Sequence, residues 1–539
     1  MLCTTSILIS QAPLSEDECL YSAHLDDMNM TTTVLLYGAL GTALYTLYGV
    51  VWRLYISPVA HFPGSKLAAA TFWYEFYYDV MKGGQYVYEI ERMHRIYGPI
   101  IRINPYEIHI NDNDLEFMSK LYPSVGHEVD KFWWSAGMFG TTVQTFGTIP
   151  HHLHKMRRAA FAKFFSPSYI RKLEPVLVDL VNTLIQKIEE GLDAGKTVNL
   201  VHAYSALTQD VVMEYCFSFS RNCLQEEKFA PQWYEWMQIN CTFTPVIKQF
   251  PWLLPMLDKL PDWWVKSTDE AVWLIRKQQA EYAAQVRAVM RGGDQDKTSH
   301  VTIFHEILNE PSLPASEKTE FRMKNEARSL VGAGTLTSAH MLSLTTYWVL
   351  KDPEILEKLS KELVMAMPDA LSPPSQQMFE TLPYLNAVMD EGFRLSYGSM
   401  HRLSRSHPKD MLQYREWTIP TGTPVGYSTY MLHRNPVIFP EPEEFKPERW
   451  LNLEPAERQR LHLHLNNFGR GTRQCVGMRL AYAEIYLALG CLFRRLGNKM
   501  ELYDTDYERD VAFVQDYFVP APSRQSRGVR IKVREQSGT

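Results

Sequence analysis

The chain has 539 residues, of which 45% are hydrophobic, and a formal net charge of −6 at pH 7. A chain of this size can bury a large core, and its slightly acidic balance gives no footprint of a nucleic-acid-binding protein. The seven cysteines are scattered and odd in number, which excludes a disulfide framework and favours a reducing compartment. Because no repeat or Gly/Ser-rich linker divides the sequence, we expect one large domain with an N-terminal appendage.

The first element in chain order is an uncharged stretch that is long enough to cross a bilayer. Thr31–Trp52 contains no charged side chain, and as a helix rising about 1.5 Å per residue it would span roughly 33 Å. Only acidic charges lie before it, whereas Arg53 and Lys66 follow it. The positive-inside rule therefore predicts a transmembrane anchor at residues 31–52, a luminal N-terminus at residues 1–30 and a cytosolic remainder. A secretory signal would carry a basic segment ahead of the apolar run, and a buried core helix rarely stays uncharged over this length.

Residues 53–66 are predicted to form a hinge, because Pro58 and Pro63 cannot continue a helix. Residues 67–539 then form the predicted main domain. Within it, residues 122–150 lack periodicity but carry several aromatic side chains. We expect a long loop there that forms one wall of a pocket.

The segment from residue 230 to residue 275 is rich in tryptophan and is interrupted by prolines. Its aromatic residues are either ordinary core or, in a membrane-anchored protein, side chains that favour the lipid interface. We expect Pro251–Pro255 to enter the interface beside the opening of a pocket.

Asn325–Leu350 is predicted to be a long, mostly apolar helix with glycines in its interior. A glycine inside a helix costs about 1 kcal/mol, so Gly332 and Gly334 need a reason to be there. Close packing against another helix is one reason, and space for a small molecule beside Thr337 and Ser338 is another.

A single cysteine, Cys475, stands between glycines in the segment Phe468-Gly-Arg-Gly-Thr-Arg-Gln-Cys-Val-Gly477. A zinc site would need a second thiolate or histidine a few residues away, and none is present. A buried packing cysteine would leave the flanking Gly471, Arg473 and Gly477 unexplained. The remaining interpretation is a thiolate ligand to haem iron.

A haem-thiolate loop accounts for each of these neighbours. A thiolate donates electron density through the iron and favours cleavage of a bound O–O bond. Gly471 and Gly477 would supply close backbone approach and positive φ angles in a tight loop. Arg473 would pair with a haem propionate, and Phe468 would pack beside the sulfur.

Residues 468–477 resemble the haem-binding signature of the cytochrome P450 family, Phe-x-x-Gly-x-Arg-x-Cys-x-Gly, at every fixed position. The resemblance extends along the chain from Pro58, and the overall pattern is similar to fungal members of secondary-metabolite pathways. It implies the cytochrome P450 fold, mainly α with a small β lobe, preceded here by one N-terminal transmembrane helix. It also implies haem b (iron protoporphyrin IX), with Cys475 as the axial ligand of the iron.

The helix at 325–350 matches a second pattern of the family, Ala/Gly-Gly-x-Asp/Glu-Thr-Thr/Ser, with one departure. The match implies room for dioxygen at Gly334 and proton delivery by Thr337 and Ser338. The family carries an acid where Leu336 stands, and this acid is thought to relay protons. We therefore expect either that the two hydroxyls and ordered water carry the protons or that the chemistry needs fewer of them.

The resemblance assigns the haem propionates to Arg158, Arg402 and Arg473. Arg158 stands in a Trp-x-x-x-Arg pattern of the family, in which His154 replaces the tryptophan. His154 and Arg158 share one face of a predicted helix, and we expect His154 to donate a hydrogen bond as well. A solvated basic face is the alternative interpretation.

Glu391 and Arg394 lie three residues apart on a predicted helix, where such a pair is ordinarily a surface ion pair of little worth. In the family, this pair joins a second arginine, here Arg449, in a buried network behind the haem. These three residues are therefore expected to support folding and haem retention.

The resemblance implies a haem-thiolate monooxygenase that inserts one oxygen atom of O₂ into a lipophilic secondary metabolite, with a terpenoid favoured and a polyketide next. Electrons would come from NADPH through a separate NADPH–cytochrome P450 reductase, because the chain carries no flavin or nicotinamide fingerprint. We expect a monomer in the endoplasmic reticulum membrane, with a cytosolic catalytic domain and no nucleic-acid partner. Two alternatives are an enzyme of the same fold that catalyses isomerisation, dehydration or oxidative ring coupling, and a non-catalytic haem-binding membrane protein.

Overall fold

The computed structural model describes residues 16–217, 219–268, 270–292 and 302–534. About 61% of the structure is helical and a small portion is sheet, which confirms the predicted mainly α fold with a small β lobe. Within the described residues the α-helices are α1 (Glu16–Val51), α2 (Lys66–Ala70), α3 (Trp73–Phe76), α4 (Tyr86–Tyr97), α5 (Leu115–Leu121), α6 (Trp133–Ala136), α7 (His151–Ala162), α8 (Pro167–Asp193), α9 (Leu200–Phe217), α10 (Pro231–Thr242), α11 (Thr244–Gln249), α12 (Leu253–Leu257), α13 (Asp262–Thr268), α14 (Glu270–Met290), α15 (Ile303–Asn309), α16 (Glu320–Lys351), α17 (Pro353–Ala366), α18 (Gln376–Glu380), α19 (Pro383–Ser396), α20 (Thr429–His433), α21 (Pro455–His462) and α22 (Met478–Leu496). The strands are β1 (Ile100–Arg102), β2 (Ile108–Ile110), β3 (Asp130–Lys131), β4 (Val198–Asn199), β5 (Arg405–Ser406), β6 (Leu412–Tyr414), β7 (Trp417–Ile419), β8 (Val425–Tyr427), β9 (Met500–Leu502), β10 (Gln515–Tyr517), β11 (Val519–Ala521) and β12 (Arg530–Val533).

The helix α16 lies at the centre of the structure and packs against α9, α14, α19 and α22. It begins at Glu320, after the N-cap residue Thr319, whose side-chain oxygen accepts a hydrogen bond of 3.3 Å from the backbone N–H of Arg322. It ends at Lys351, two residues before Pro353, a residue that cannot continue a helix. The predicted Gly332–Ser338 segment therefore lies in the middle of a long, largely buried helix.

The largest sheet has five strands in the order β1-β2-β8-β5-β3. Strands β2 and β8 are parallel, and their neighbours pair antiparallel. At the edge of this sheet, Lys131 of β3 is paired in register with Arg405 of β5. The sheet thus brings two basic residues from distant parts of the chain to one place.

The N-terminal helix matches the predicted anchor in position. Met30–Ile56 is long and apolar enough to cross a membrane, and none of its apolar core is buried inside the protein. The alternative of a buried core helix is therefore excluded for these residues. Residues 1–15 of the predicted luminal N-terminus lie outside the described residues.

Arg102 connects the predicted hinge to the main domain. Its guanidinium is fully buried and donates hydrogen bonds to the carbonyl oxygens of Arg53 at 2.7 Å, Pro105 at 2.6 Å and Ala69 at 3.4 Å. These bonds satisfy a charge that would be costly to bury alone. They attach the end of the N-terminal helix to strand β1.

Candidate active site

A cavity of about 370 Å³ lies between α16 and the loop of residues 468–477. This volume falls in the usual range for small-molecule sites. Three phenylalanines that contact one another, Phe139, Phe146 and Phe518, line part of it, with ring centroids 5.0 to 5.7 Å apart. Two of them belong to the predicted 122–150 loop, which therefore supplies a wall of the cavity.

The loop 468–477 closes on itself through a hydrogen bond of 2.7 Å from the N–H of Cys475 to the carbonyl oxygen of Phe468. Gly471 has a φ of +67° and lies so close to the carbonyl of Tyr122 that a Cβ atom would come within 2.6 Å of it. Gly477, by contrast, has a φ of −80°, so the predicted positive φ is wrong for this glycine. A Cβ atom at Gly477 would instead lie 3.9 Å from the sulfur of Cys475.

The thiol of Cys475 opens into the cavity. Burial raises its pKa, while hydrogen bonds from the backbone N–H groups of Gly477 and Met478 and the charge of Arg158 act in the opposite direction. Phe468 also lines the cavity and packs on Phe393, with ring centroids 5.3 Å apart. The loop therefore presents one sulfur to the cavity with backbone donors directed at it.

Five of the basic side chains that line the same cavity lie close enough together to affect one another: Lys131, His154, Arg158, Arg405 and Arg473. Burial and the neighbouring cations lower the pKa of Arg473 to about 9 and that of His154 to about 2. None of the five forms an ion pair with a carboxylate in the part of the chain that the structure describes. A buried group of like charges is costly unless an anion joins it.

Backbone carbonyls hold four of these side chains in place: Lys131 donates to the carbonyl oxygen of Phe146 at 2.8 Å, and Arg405 donates to that of Leu403 at 2.7 Å. Arg473 donates to the carbonyl oxygens of Thr148 and Ile149 at 2.7 Å each, and Arg158 donates to that of Gln474 at 2.6 Å. The predicted residues His154, Arg158 and Arg473 are thus brought together beside Cys475.

The propionate role predicted for Arg402 is wrong. Arg402 is buried away from the cavity and forms ion pairs with Glu75 at 2.7 Å and Glu107 at 3.0 Å. These two carboxylates already neutralise its charge. Arg405, three residues further along the chain, lines the cavity instead.

We expect Arg405→Gln to weaken haem retention about tenfold or more, because it removes one charged hydrogen-bond donor worth about 1.5–3 kcal/mol. The rate of haem transfer to an excess of a competing apoprotein would measure this. Arg402→Gln should instead lower folding stability by about 3–5 kcal/mol, since it leaves Glu107 buried without its cation and leaves Glu75 with Lys248 alone. Fast haem loss from a normally stable Arg402→Gln protein, with slow loss from Arg405→Gln, would reverse the assignment.

The middle of α16 lies beside the cavity, as predicted. A Cβ atom at Gly334 would lie 3.0 Å from Cγ2 of Val212 on α9, so this glycine allows the two helices to pack closely. Ala333 and Thr337 are open to the cavity, and the Thr337 hydroxyl donates to the Ala333 carbonyl oxygen at 2.8 Å. The side chain of Leu336 is buried.

Glu484 of α22 is a residue that the sequence interpretation missed. It is buried, it lines the cavity, and its Oε1 atom has no hydrogen-bond partner among the described residues. Burial raises its pKa to about 8, which a side-chain hydrogen bond with Ser338 partly opposes. The signal in the sequence was an isolated acid within the apolar segment after Cys475. An acid is therefore present beside Ser338, although α16 has a leucine at position 336.

The structure places Glu391, Arg394 and Arg449 in one buried network. Arg394 donates to both carboxylate oxygens of Glu391, at 2.8 and 2.9 Å, and Arg449 donates to Oε1 at 3.3 Å. The indole N–H of Trp450 adds a fourth donor at 2.9 Å. Arg394 and Glu391 are both fully buried, so this is a core element and not a surface pair.

The family model for cytochrome P450 matches residues 65–508. The chain is 39% identical to cytochrome P450 monooxygenase MO6277 of Ascocoryne sarcoides over 93% of this chain and 98% of the relative. It is 38% identical to the N-acetyltryptophan 6-hydroxylase ivoC of Emericella nidulans, over 92% and 96% of the two chains. It is 39% identical to the tryptophan 6-hydroxylase fscE of Fusarium equiseti, over 90% and 94%.

The chain therefore belongs to the cytochrome P450 family. The predicted class, a P450 monooxygenase of the fungal secondary-metabolism type and hence an oxidoreductase, is confirmed. The family implies haem and O₂, and the residues present fit a haem. A thiol with backbone donors suits the iron, and the unpaired basic cluster suits the two propionates.

Proposed function

We propose that this monooxygenase inserts one oxygen atom of O₂ into a C–H bond of a lipophilic secondary metabolite. Electrons would reach it from NADPH through a separate NADPH–cytochrome P450 reductase. The observation that carries the proposal is the exposed thiol of Cys475, which opens into an aromatic-lined cavity beside five basic side chains that form no ion pair with a described carboxylate. We expect a monomer held by one helix in the endoplasmic reticulum membrane, with residues 67–539 in the cytosol.

Each group at the site has a role in this proposal. Cys475 would bind the iron through its sulfur, and Arg158, Arg405 and Arg473 would bind the propionates, with the neutral imidazole of His154 as a further donor. When bound, the haem supplies the activation of dioxygen. The phenylalanine wall would exclude water and orient an apolar substrate.

Proton delivery would use Glu484 in place of the acid that α16 lacks at Leu336. A carboxyl with its pKa near 8 is protonated at neutral pH and can donate a proton through Ser338. Thr337 is the residue before Ser338 and is open to the cavity. Its Oγ1 hydroxyl would act as a second proton donor. With Glu484 available, Leu336 no longer favours a non-monooxygenase reaction.

Two substrate classes are compared. A terpenoid scaffold is the first candidate, from the sequence pattern. An indole-containing amino-acid derivative is the second, because two relatives of 38–39% identity carry the names of a tryptophan and an N-acetyltryptophan 6-hydroxylase.

The test is product formation in microsomes that contain this chain and a fungal reductase. They would receive ¹⁸O₂ with a panel of cyclised terpenes, polyketides and N-acyl tryptophans. One ¹⁸O atom in a product that requires NADPH would support the proposal and identify the substrate class. A product without the label, or one formed from a hydroperoxide without NADPH, would contradict it in favour of an isomerase, dehydratase or ring-coupling enzyme.

We expect Glu484→Gln to lower the ratio of product formed to NADPH consumed about 100-fold, because the amide cannot supply the proton. Asp390→Asn is a matched control, since burial also raises the pKa of Asp390, to about 7, but Asp390 does not line the cavity. Equal ratios in wild type and Glu484→Gln would show that Glu484 is not the donor.

The same variant makes a prediction for stability. The pKa of Glu484 is raised from 4.5 to about 8 in the folded chain, so the folded state holds an extra proton between these values. The free energy of unfolding should therefore fall as pH rises from about 4.5 to about 8. Glu484→Gln should remove this part of the pH dependence in denaturant titrations, and parallel curves for the two proteins would contradict it.

A further inference from the structure

Arg328 on α16 is a cation in the cavity that the proposed reaction does not use. It is half-buried, it lines the cavity, and it has neither an ion pair nor a hydrogen bond to any of the described residues. Other arginines of the interior are satisfied. Arg102 donates to backbone carbonyls, Arg394 binds Glu391, and Arg322 pairs with Glu317 at 3.1 Å. A guanidinium with neither an ion pair nor a hydrogen bond is thus unusual among the described arginines of the interior.

The side chains around Arg328 offer hydrogen-bond donors, and none of the described carboxylates forms an ion pair with it. The phenol of Tyr282 also lines the cavity, lies close enough to affect the pKa of Arg328, and has no hydrogen-bond partner among the described residues. Gln278 also lines the cavity, and its amide nitrogen contacts only the sulfur of Met237, at 3.8 Å. Asp258 acts on Arg328 from an exposed position without forming an ion pair. A buried cation beside unused donors is the arrangement that binds an anion.

Arg328 lies apart from the basic cluster of Lys131, His154, Arg158, Arg405 and Arg473. It precedes Thr337 by nine residues on the same helix, which is on the order of 13 Å along the helix axis. Its Nη1 atom lies 3.7 Å from the position that a Cβ atom would take at Gly140. The next residue back, Phe139, belongs to the phenylalanine wall, whose Phe146 ring lies under Lys131 of the basic cluster at 3.1 Å. The phenylalanine wall therefore extends from the vicinity of Arg328 to the basic cluster.

Leu254 of α12 lies close to Arg328, since its side chain occupies the space beside Gly140 that Nη1 of Arg328 also approaches. The neighbouring Trp252 and Met256 are exposed, at 59% and 47%. An amphiphile that enters from this side would leave its polar end near Arg328 and direct its apolar body along the phenylalanine wall.

We propose that Arg328 binds a carboxylate of the substrate, so that the natural substrate is an amphiphile with an acidic end and an apolar end that is oxidised. This inference rests on the proposed function and narrows its substrate class to carboxylic acids. The guanidinium can hold both oxygens of a carboxylate at once, which a neutral ester cannot match. The phenol of Tyr282 is available as an additional donor.

The test compares three acids with their methyl esters on the haem-loaded full-length protein in lipid nanodiscs. The pairs are benzoate, indole-3-propionate and dodecanoate, each with its ester. Equilibrium dialysis reports binding without turnover, and the haem absorption spectrum reveals any acid that ligates the iron directly. The variants are Arg328→Gln, Arg328→Lys and a control, Lys324→Gln, which removes a cation of α16 that does not line the cavity.

In the wild type we expect at least one acid to bind about tenfold or more tightly than its ester, from a charge-assisted pair worth 1.4 kcal/mol or more. This ratio should fall to near 1 in Arg328→Gln and stay unchanged in Lys324→Gln. If the Arg328→Gln protein loses its haem, the Arg328→Lys variant is used in its place. That variant keeps the charge but not the planar fork, and it should lower the ratio by about threefold or more.

Absence of acid preference in every pair, including absence of any binding, would overturn the proposal. So would a preference that survives Arg328→Gln, because the anion would then bind elsewhere. The outcome is separable from the proposed function, since dialysis needs neither reductase nor oxygen. If the acid preference is lost in Arg328→Gln, the carboxylate site is supported even when no product forms. If ¹⁸O-labelled products form from neutral substrates only, at equal rates in wild type and Arg328→Gln, the monooxygenase function is supported and the carboxylate site is rejected.

Discussion

Cys475→Ala is expected to abolish monooxygenation, with a fall of about three orders of magnitude or more, equivalent to roughly 4 kcal/mol of barrier. The reason is local, because Cys475 supplies the one sulfur of the loop 468–477 and this sulfur opens into the cavity. Because its side chain is not packed in the core, the apoprotein should still fold. Labelled-product formation and the absorption spectrum of the thiolate-bound haem would measure the loss.

Cys491→Ala is the matched control for this prediction. Cys491 is fully buried in α22, and burial raises its pKa to about 12, so it stays a neutral thiol. Its loss should cost some stability but leave the spectrum and the rate within about twofold of wild type. A Cys475→Ala protein with an unchanged haem spectrum would mean that another residue binds the iron.

Glu391→Ala is expected to cause a large loss of stability. It would leave Arg394 fully buried without a counter-charge and remove the acceptor of Trp450 and Arg449. Breaking one partner of a buried pair costs about 3–5 kcal/mol, which is a large part of the total stability of a domain. Denaturant unfolding of the haem-loaded protein would measure it.

An exposed pair gives the control for Glu391. Glu357 and Lys361 form an i,i+4 ion pair with exposures of 63% and 71%. Glu357→Ala should therefore cost less than about 0.5 kcal/mol. Similar losses in Glu391→Ala and Glu357→Ala would refute a structural role for the network.

The parts of the site that the sequence predicts best are those set by neighbouring residues. The loop around Cys475 is closed by a bond between residues 468 and 475, and its glycines are visible in the sequence. The N-terminal helix is equally local, because length and absence of charge suffice to recognise it. Such features depend little on the rest of the fold.

The choice between Arg402 and Arg405 could not be made from the sequence. The two residues are three apart in extended backbone, where side chains alternate between faces, so one lies in the cavity and the other faces away from it. What decides the outcome is a pair of distant acids, Glu75 and Glu107, that bind Arg402. Long-range partners of this kind are set by tertiary packing and leave no local pattern.

Glu484 and Arg328 were missed for a different reason. Glu484 is an isolated acid in an apolar stretch of α22, whereas Arg328 is the last charged residue of the charged N-terminal part of α16, and both were visible in the sequence. Their significance depends on the absence of a partner, which can be judged only when every neighbour is placed. The structure supplies that information for the described residues.

The bonds from Arg102 have a mechanical consequence. One guanidinium holds the carbonyl at the end of the N-terminal helix together with carbonyls of α2 and of the turn after β1. A flexible linker would let the main domain rotate freely relative to the N-terminal helix. These hydrogen bonds instead couple the orientation of the main domain to that of the helix. The angle at which the main domain meets the lipid would then be fixed by the tilt of the helix.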